Sequence, residues 1–252
     1  MTALVTRLRG AGCVFAEEEA ALLEEAATDD AHLERLVTER IGGRPLEHLL
    51  GWVAFDGLRL HVTDGVFVPR QKTLLLVDLA ADLAPDDGTV VDLCCGTGAL
   101  LAALVVRRPD LDGHAADLDP AAVACARRNL PAERVHEGDL FDALPRHLRA
   151  AVDVLVVNAP YVPTDLVAEM PPEARDHEHR LALDGGGDGL DVHRRVVAEA
   201  PRWLAAGGYL LVEVAPVQVD TALALVAEAG LEGAVAEDDE RGATAVIARA
   251  RG

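Results

Sequence analysis

The segment with the clearest chemical potential is Asn158-Ala159-Pro160-Tyr161, which directly follows the apolar run at residues 152–157. Open α/β sheets bind ligands at the carboxyl ends of their strands, so a polar side chain there is a candidate ligand contact. The Asn158 amide offers an acceptor and a donor at fixed geometry, and Pro160 stiffens the turn. Such a turn can hold a planar group that bears an NH2. The alternative is a strand-end turn in which Asn and Pro only set backbone geometry.

A glycine-containing segment, Asp92-Leu93-Cys94-Cys95-Gly96-Thr97-Gly98, follows an earlier predicted strand and opens a predicted helix. Gly96 and Gly98 let the backbone approach a ligand closely, and the helix start presents free amides to a carboxylate or phosphate. A plain tight turn would explain the same glycines. The third glycine of the dinucleotide fingerprint is missing, because Leu101 stands three positions after Gly98.

Carboxylates end the next two predicted strands. Asp117, about 20 residues further along, can accept both hydroxyls of a ribose, and Asp119 is the competing candidate. The third strand ends in Gly138-Asp139-Leu140, where Asp139 can accept from an adenine amine and Leu140 can cover the ring. Together these strand ends fit a nucleoside with a carboxylate-bearing appendage better than a dinucleotide.

The elements that must position these residues alternate from residue 89 onward. Strands are predicted at 89–93, 113–117, 134–138, 152–157 and 208–215, and helices at 99–107 and 120–130. This alternation predicts an α/β fold with a mostly parallel, doubly wound sheet. After a helix at 216–229, strands at 231–237 and 243–250 are joined by a polar turn too short for a crossover helix, which predicts a C-terminal antiparallel hairpin.

The N-terminal part of the chain has a different pattern. Apolar residues recur at helical spacing up to about Ile41, where Gly42-Gly43 ends the series. We therefore expect a small helical N-terminal domain at 1–44. Two short apolar runs around Asp56-Gly57 predict a β-hairpin within a linker at 45–72, ahead of the main domain at 73–252.

Composition restricts the partners and the compartment. The formal net charge of −20, from 43 acidic and 23 basic residues, argues against nucleic acid as a partner. Cys13, Cys94, Cys95 and Cys125 show no paired Cys-x-x-Cys spacing, which favours reduced thiols. No apolar segment approaches membrane-spanning length, and the start lacks the pattern of a secretion signal. We expect a cytoplasmic protein without a membrane segment.

The ordered motifs resemble those of the class I methyltransferases that use S-adenosylmethionine. Within that class they are similar to the protein-glutamine amide N-methyltransferases that act on peptide-chain release factors. The similarity runs from about Pro45 to Gly207. The segments that carry it are 65–70, 92–98, Asp117-Leu118-Asp119-Pro120, Asn158-Ala159-Pro160-Tyr161, 175–183 and Gly187-Asp188-Gly189-Leu190.

This resemblance implies a Rossmann-like methyltransferase domain whose cofactor, S-adenosylmethionine, leaves as S-adenosylhomocysteine. The implied cofactor contacts are Asp92, Cys94, Gly96, Thr97, Gly98, Asp117, Leu118, Asp139, Leu140 and Asn158. The implied catalytic motif is Asn158, Ala159, Pro160 and Tyr161, and the implied substrate contacts are Arg70, Asn158, Tyr161 and Glu178. The resemblance also implies that the Asn158 oxygen and the backbone carbonyl of residue 159 accept hydrogen bonds from a glutamine amide, in the Gly-Gly-Gln loop of a release factor.

Two departures from the family pattern leave the acceptor open. Ala159 stands where the family has proline, although alanine retains the carbonyl, and Gln71-Lys72 stands where the family commonly has proline and an acidic residue. The alternative enzyme methylates a small amide, amine or guanidine metabolite. A cofactor-binding module without catalysis is a third hypothesis, and adenine methylation in DNA conflicts with the acidic charge.

A metal site is the other interpretation of His177-Glu178-His179. Adjacent residues of a strand point to opposite faces, and a loop would still need a third, distant ligand. We therefore expect no metal. Glu178 fits better as a brace for the loop that contacts substrate.

Overall fold

The computed structural model describes residues 2–252, in which strands and helices alternate through most of the chain. The helices are α1 (Thr2–Gly10), α2 (Ala16–Ala26), α3 (Asp30–Ile41), α4 (Leu46–Leu50), α5 (Leu74–Leu83), α6 (Ala99–Arg107), α7 (Pro120–Asn129), α8 (Pro172–Arg175), α9 (Asp191–Glu199) and α10 (Val219–Glu228). The strands are β1 (Trp52–Phe55), β2 (Leu58–His61), β3 (Thr89–Leu93), β4 (Asp112–Asp117), β5 (Val135–Glu137), β6 (Val152–Val157), β7 (Leu204–Glu213), β8 (Glu232–Asp238) and β9 (Ala243–Arg249).

The main sheet has seven strands in the order β5-β4-β3-β6-β7-β9-β8. The strands from β5 to β7 pair in parallel, whereas β9 runs antiparallel to both β7 and β8. The predicted mostly parallel sheet and C-terminal antiparallel hairpin are thereby confirmed. The strand order reverses between β3 and β6, and ligand-binding crevices form at such switch points.

Both faces of the sheet are buried, because successive residues of its central strands point to opposite sides. Val90 packs with residues of α5 and α6 on one face, whereas Val91 packs with residues of α9 and α10 on the other. In β6, Val156 joins the first cluster and Val157 joins the second. This double burial holds the strand ends rigidly in register.

The prediction for β7 was wrong at its start. The sequence indicated a strand at 208–215, but β7 begins at Leu204 and its register with β6 shifts between Val152 and Val154. Gly207, at a φ of 78°, lies in this irregular part of the strand. Gly207 and Gly208 therefore mark a bulge inside β7.

The N-terminal helices α1, α2 and α3 form their own apolar cluster. Its buried members are Leu4, Val5, Leu8, Cys13, Ala16, Ala20, Leu23, Leu36 and Val37. Arg40 connects these helices to the rest of the chain, because its guanidinium pairs with Glu19 and with Glu173 in α8 at 2.6 Å each. The division into segments 1–44, 45–72 and 73–252 stays a prediction.

The predicted hairpin is formed by β1 and β2, which pair in antiparallel register from Trp52–His61 to Phe55–Leu58. Asp56 and Gly57 have positive φ values of 51° and 74°. That combination is typical of the type I′ turn, which Asp-Gly favours. Within residues 2–252, no helix is both long and apolar enough to cross a membrane.

Candidate functional site

A cleft of about 340 Å³ opens at the carboxyl ends of β3, β4 and β6. Leu93 pairs with Ala116 on one side and Val157 on the other, so the residues that follow these three strands converge. The predicted site residues on its wall are Arg70, Cys94, Gly96, Thr97, Asp117, Leu118, Asp139, Leu140, Asn158, Ala159, Pro160 and Tyr161. A volume of this size suits a small organic ligand.

The loop after β3 approaches the cleft with its backbone. Cys94 and Gly96 both have positive φ, at 58° and 55°, and a Cβ built on Gly96 would meet nothing within 4 Å. The Thr97 hydroxyl is buried without a hydrogen-bond partner among residues 2–252. This loop therefore offers a ligand both close backbone approach and an unused polar group.

Gly98 and Asp92 do not line the cleft, and their contacts with a cofactor stay predictions. A Cβ on Gly98, whose φ is 74°, would come within 2.7 Å of Leu130 Cδ1. The glycine therefore allows the start of α6 to pack closely against the end of α7. The Asp92 side chain lies inside the protein, where burial raises the pKa of its carboxyl to about 8. Gly98 therefore has a packing role, whereas both Asp92 carboxylate oxygens are buried without a hydrogen-bond partner among residues 2–252.

Asp117 is better placed than Asp119 to bind a ligand. Asp117 Oδ2 accepts from the Gly96 amide at 2.8 Å and Oδ1 accepts from the Asp119 amide at 2.9 Å, which fixes the carboxylate on the cleft wall. Asp119 instead caps α7 through Ala121 and contacts the His179 ring. Burial raises the pKa of Asp117, and the two backbone amides oppose that rise.

The third strand end is arranged by Asp139 and Leu140. Leu140 has a φ of 48°, which is uncommon for a residue with a branched side chain, and it lines the cleft. Asp139 Oδ2 accepts from the Arg195 guanidinium at 2.7 Å, and Arg195 also lies on the cleft wall. The sequence did not indicate Arg195, whose helix α9 reaches the site only through the fold.

Asn158 is oriented by a bond that the sequence did not reveal. Its Nδ2 donates to the hydroxyl of Thr73 at 3.3 Å. Among residues 2–252, no donor bonds to the Asn158 side-chain oxygen or to the carbonyl oxygen of Ala159. Two unused acceptors therefore lie on the cleft wall in adjacent residues, as a planar NH2 group requires.

Tyr161 is held at both ends. Its carbonyl accepts from Gln218 Nε2 at 2.9 Å, and its hydroxyl contacts Lys72 Nζ at 2.6 Å and Glu213 Oε1 at 3.3 Å. Lys72 and Glu213 were missed as site residues. Glu213 could have been found, because it ends β7, the strand beside the one that carries Asn158.

Arg70 lies on the cleft wall, but Glu178 does not, and its role as a direct substrate contact stays a prediction. The Glu178 side chain is fully buried and accepts from the Arg70 guanidinium at 2.7 Å and the Val68 amide at 3.1 Å. It therefore fixes the loop that carries Arg70. The neighbouring His179 is engaged by Gly65 and Asp119, through its amide and its ring respectively.

The sequence of this chain is similar to those of several methyltransferases. The family model described as Methyltransferase small domain matches residues 58–173. The chain is 36% identical to the release factor glutamine methyltransferase of Geobacter sulfurreducens, over 84% of this chain and 75% of that protein. It is 40% identical to the protein of that name from Streptomyces coelicolor, over 75% of this chain and 69% of the relative. It is 45% identical to the protein of the same name from Mycolicibacterium smegmatis, over 73% of this chain and 66% of that protein.

Solved structures share the fold. A methyltransferase from Pyrococcus furiosus superposes with a TM-score of 0.59 at 15% identity, over 77% of this chain and 90% of that one. A SAM-bound amino pentose methyltransferase from Micromonospora echinaspora gives a TM-score of 0.50 at 19% identity, over 71% of this chain and 90% of that one. At these identities the likeness extends to the architecture alone.

Proposed function

Since this chain belongs to the release factor glutamine methyltransferase family, we propose that it methylates the side-chain amide nitrogen of a glutamine in a peptide-chain release factor. The methyl donor is S-adenosylmethionine. The acceptor glutamine is the one in the Gly-Gly-Gln loop, and the reaction takes place in the cytoplasm, where release factors act. The observation that carries the proposal is the pair of unused acceptors at Asn158 and Ala159, beside a cleft whose wall includes Asp117.

The residues of the cleft fit this cofactor. Asp117 holds the ribose hydroxyls, because its carboxylate lies fixed on the wall with acceptor capacity beyond its two backbone bonds. Gly96 leaves room for the cofactor to approach the backbone, and the buried Thr97 hydroxyl gains a polar partner. Asp139 and Leu140 bind the adenine through its amine and its face. The bound cofactor supplies an electrophilic methyl group on a sulfonium.

The chain's own contribution to catalysis is positioning. An amide nitrogen is a poor nucleophile because its lone pair is delocalised, so its orientation toward the methyl group dominates the barrier. The Asn158 oxygen and the Ala159 carbonyl oxygen accept hydrogen bonds from the two N–H groups of the substrate amide. These acceptors also stabilise the positive charge that develops on nitrogen as the N–C bond forms and the methyl group leaves sulfur. One amide proton is lost to solvent, which gives the neutral N-methyl amide. Tyr161 forms a wall of the same pocket.

The metabolite alternative is not favoured by the comparisons, since relatives that share most of this chain are named for a release factor substrate. Ala159 does not weaken the site, because the proposed role belongs to a backbone carbonyl. The whole residue is 1% exposed, and Ala159 belongs to the core cluster that packs beneath the sheet end.

The test uses tritiated S-adenosylmethionine with a purified release factor and with the same factor carrying Gln→Ala in its Gly-Gly-Gln loop. We expect label in the first protein and background in the second. Equal labelling of both factors would contradict the proposal. Mass spectrometry of the endogenous factor from a deletion strain, in which one methyl group on one glutamine should be lost, provides the cellular check.

A further inference from the structure

Lys72 is the only lysine among the 23 Lys and Arg residues of this chain, and it lies on the wall of the cleft. It is the middle residue of a short 3₁₀ turn, Gln71–Thr73. Its Nζ contacts the Tyr161 hydroxyl at 2.6 Å and Glu213 Oε1 at 3.1 Å. The Tyr161 hydroxyl and Glu213 Oε1 are 3.3 Å apart, so the three groups form a closed triangle.

This triangle differs from a surface ion pair. The Glu213 side chain is only 3% exposed, and its carboxylate needs a cation because an unpaired buried charge is costly. Burial acts to lower the pKa of Lys72, but Glu213 and Tyr161 outweigh it and raise that pKa above its ordinary value. Burial, followed by Glu213, raises the pKa of Tyr161. Near neutral pH the triangle thus contains the ammonium of Lys72 and the neutral phenol of Tyr161.

The same turn holds the two ends of the predicted catalytic motif. Thr73 accepts from the Asn158 amide, and the preceding residue, Lys72, contacts the Tyr161 hydroxyl. Glu213 lies one position beyond Val212, which pairs with Val157 at the end of the strand that carries the motif. The triangle is therefore built from the turn, the motif and the adjacent strand end, and it fixes the Tyr161 ring relative to Asn158.

We propose that Lys72 is a positioning residue for the methyl acceptor, acting through Tyr161 with Glu213 as its buried counterion. By fixing the phenol, Lys72 positions the Tyr161 ring against which the substrate amide lies. Asn158 and Ala159 then accept hydrogen bonds from the N–H groups of that amide. Lys72 therefore governs how the acceptor is placed and has no role in binding the cofactor. The inference rests on the proposed function for the identity of the acceptor.

The first experiment measures kinetics with a Gly-Gly-Gln release factor for Lys72→Met, Lys72→Arg, Tyr161→Phe and the double variant Lys72→Met/Tyr161→Phe. We expect Lys72→Met to lower kcat/KM for the acceptor roughly tenfold or more, as expected for loss of a hydrogen bond to a charged group. Lys72→Arg should recover part of the loss. Affinity for S-adenosylhomocysteine should stay within about twofold of wild type. The double variant should be no worse than the poorer single variant, because both changes break one contact.

Equal losses of cofactor affinity and acceptor turnover in Lys72→Met would overturn the inference, as would additive effects in the double variant. Lys72→Met could also destabilise the fold by leaving Glu213 unpaired. Lys72→Met/Glu213→Gln, in which the pair is replaced by neutral groups, keeps the test decisive. This variant should bind S-adenosylhomocysteine like wild type and still show the acceptor defect.

The second experiment does not need an acceptor. Protein labelled with [13C]lysine gives one lysine side-chain signal, because the chain has one lysine. Its titration midpoint should lie above that of free lysine and fall in Glu213→Gln. Midpoints that do not differ between wild type and Glu213→Gln would show that the triangle is absent, even if the release factor is methylated. Conversely, a wild-type protein that does not methylate a release factor would contradict the proposed function while this titration still tests the triangle.

Discussion

Asn158 donates its amide hydrogen to the Thr73 hydroxyl, 3.3 Å away, and thereby points its side-chain oxygen away from that bond. An amide that could rotate freely would present nitrogen and oxygen to the cleft in either order. The bond to Thr73, a residue 3% exposed, makes the acceptor end available to a substrate NH2. The chemistry of the motif therefore depends on a turn 85 residues earlier in the chain.

Removal of the Thr73 hydroxyl should reduce turnover while leaving the cofactor site intact. In Thr73→Val we expect kcat to fall about tenfold, because a hydrogen bond of this kind contributes roughly 1–1.5 kcal/mol to the orientation of Asn158. Thr73→Ser, which keeps the hydroxyl, is the matched control and should retain most activity. An unchanged kcat in Thr73→Val would show that Asn158 needs no such anchor.

Asn158→Ala should abolish most methyl transfer. Loss of one positioned group in a preorganised site typically lowers kcat by about 10²–10³-fold. Binding of S-adenosylhomocysteine, measured by calorimetry, should change little, since the proposed cofactor contacts are made mainly by Asp117 and the loop after β3. A wild-type protein that binds the cofactor but modifies no acceptor would instead support a module that has lost catalysis.

Asp117 and Asp119 are separated by one residue and should respond differently to the same substitution. Asp117→Asn removes the charge proposed to hold the ribose hydroxyls, so the Kd for S-adenosylhomocysteine should rise on the order of 10–100-fold. Asp119→Asn retains a side-chain oxygen that can cap α7, and asparagine is an equally good N-cap. We expect its Kd to change less than about threefold. The reverse ranking in calorimetry would assign the ribose to Asp119.

Gly96 and Gly98 offer a second matched pair. Both have positive φ, so alanine at either position should cost about 1–2 kcal/mol of stability, measured by denaturant unfolding. A Cβ at Gly98 would press on Leu130, whereas a Cβ at Gly96 would project into open space where the cofactor approaches. Only Gly96→Ala should weaken cofactor binding beyond the loss explained by stability. Equal effects on binding would show that Gly98 also contacts the ligand.

Asp92 should make stability fall as the pH rises. Burial raises the pKa of its carboxyl to about 8 in the folded protein, above the roughly 3.9 of an unfolded aspartate, so the folded state binds more protons between these values. The free energy of unfolding therefore decreases through this window, with a slope of up to about 1.4 kcal/mol per pH unit from this group. Asp92→Asn removes the titration. Its Tm relative to wild type should increase from pH 5 to pH 8, and a constant difference would contradict the assignment.

Local patterns predicted much of this protein because they reflect short-range physics. Alternation of strand and helix, the Asp56-Gly57 turn and the polar turn before β9 each depend on backbone preferences and periodicity within a few residues. The position of Asn158 at a strand end follows from the same reasoning. The β7 bulge was missed because glycine is equally compatible with a turn and with an irregular strand.

The motifs did not predict which of their residues line the cleft and which are buried behind its wall. Asp92, Gly98 and Glu178 stand inside motifs beside true wall residues, yet the structure places them behind the wall. Their packing depends on side chains brought from elsewhere, such as Leu130 against Gly98 and Arg70 over Glu178. Conversely, Arg195 reaches the cleft from α9 without any local signal.

The sequence by itself determined the order of strand ends and the kinds of polar group they carry, because a parallel sheet brings its carboxyl ends to one edge. Only the tertiary structure decided how those groups are oriented. Thr73 fixes the Asn158 amide, and Lys72 with Glu213 fixes Tyr161. These bonds join residues distant in the chain, and their geometry depends on the packing of the whole sheet.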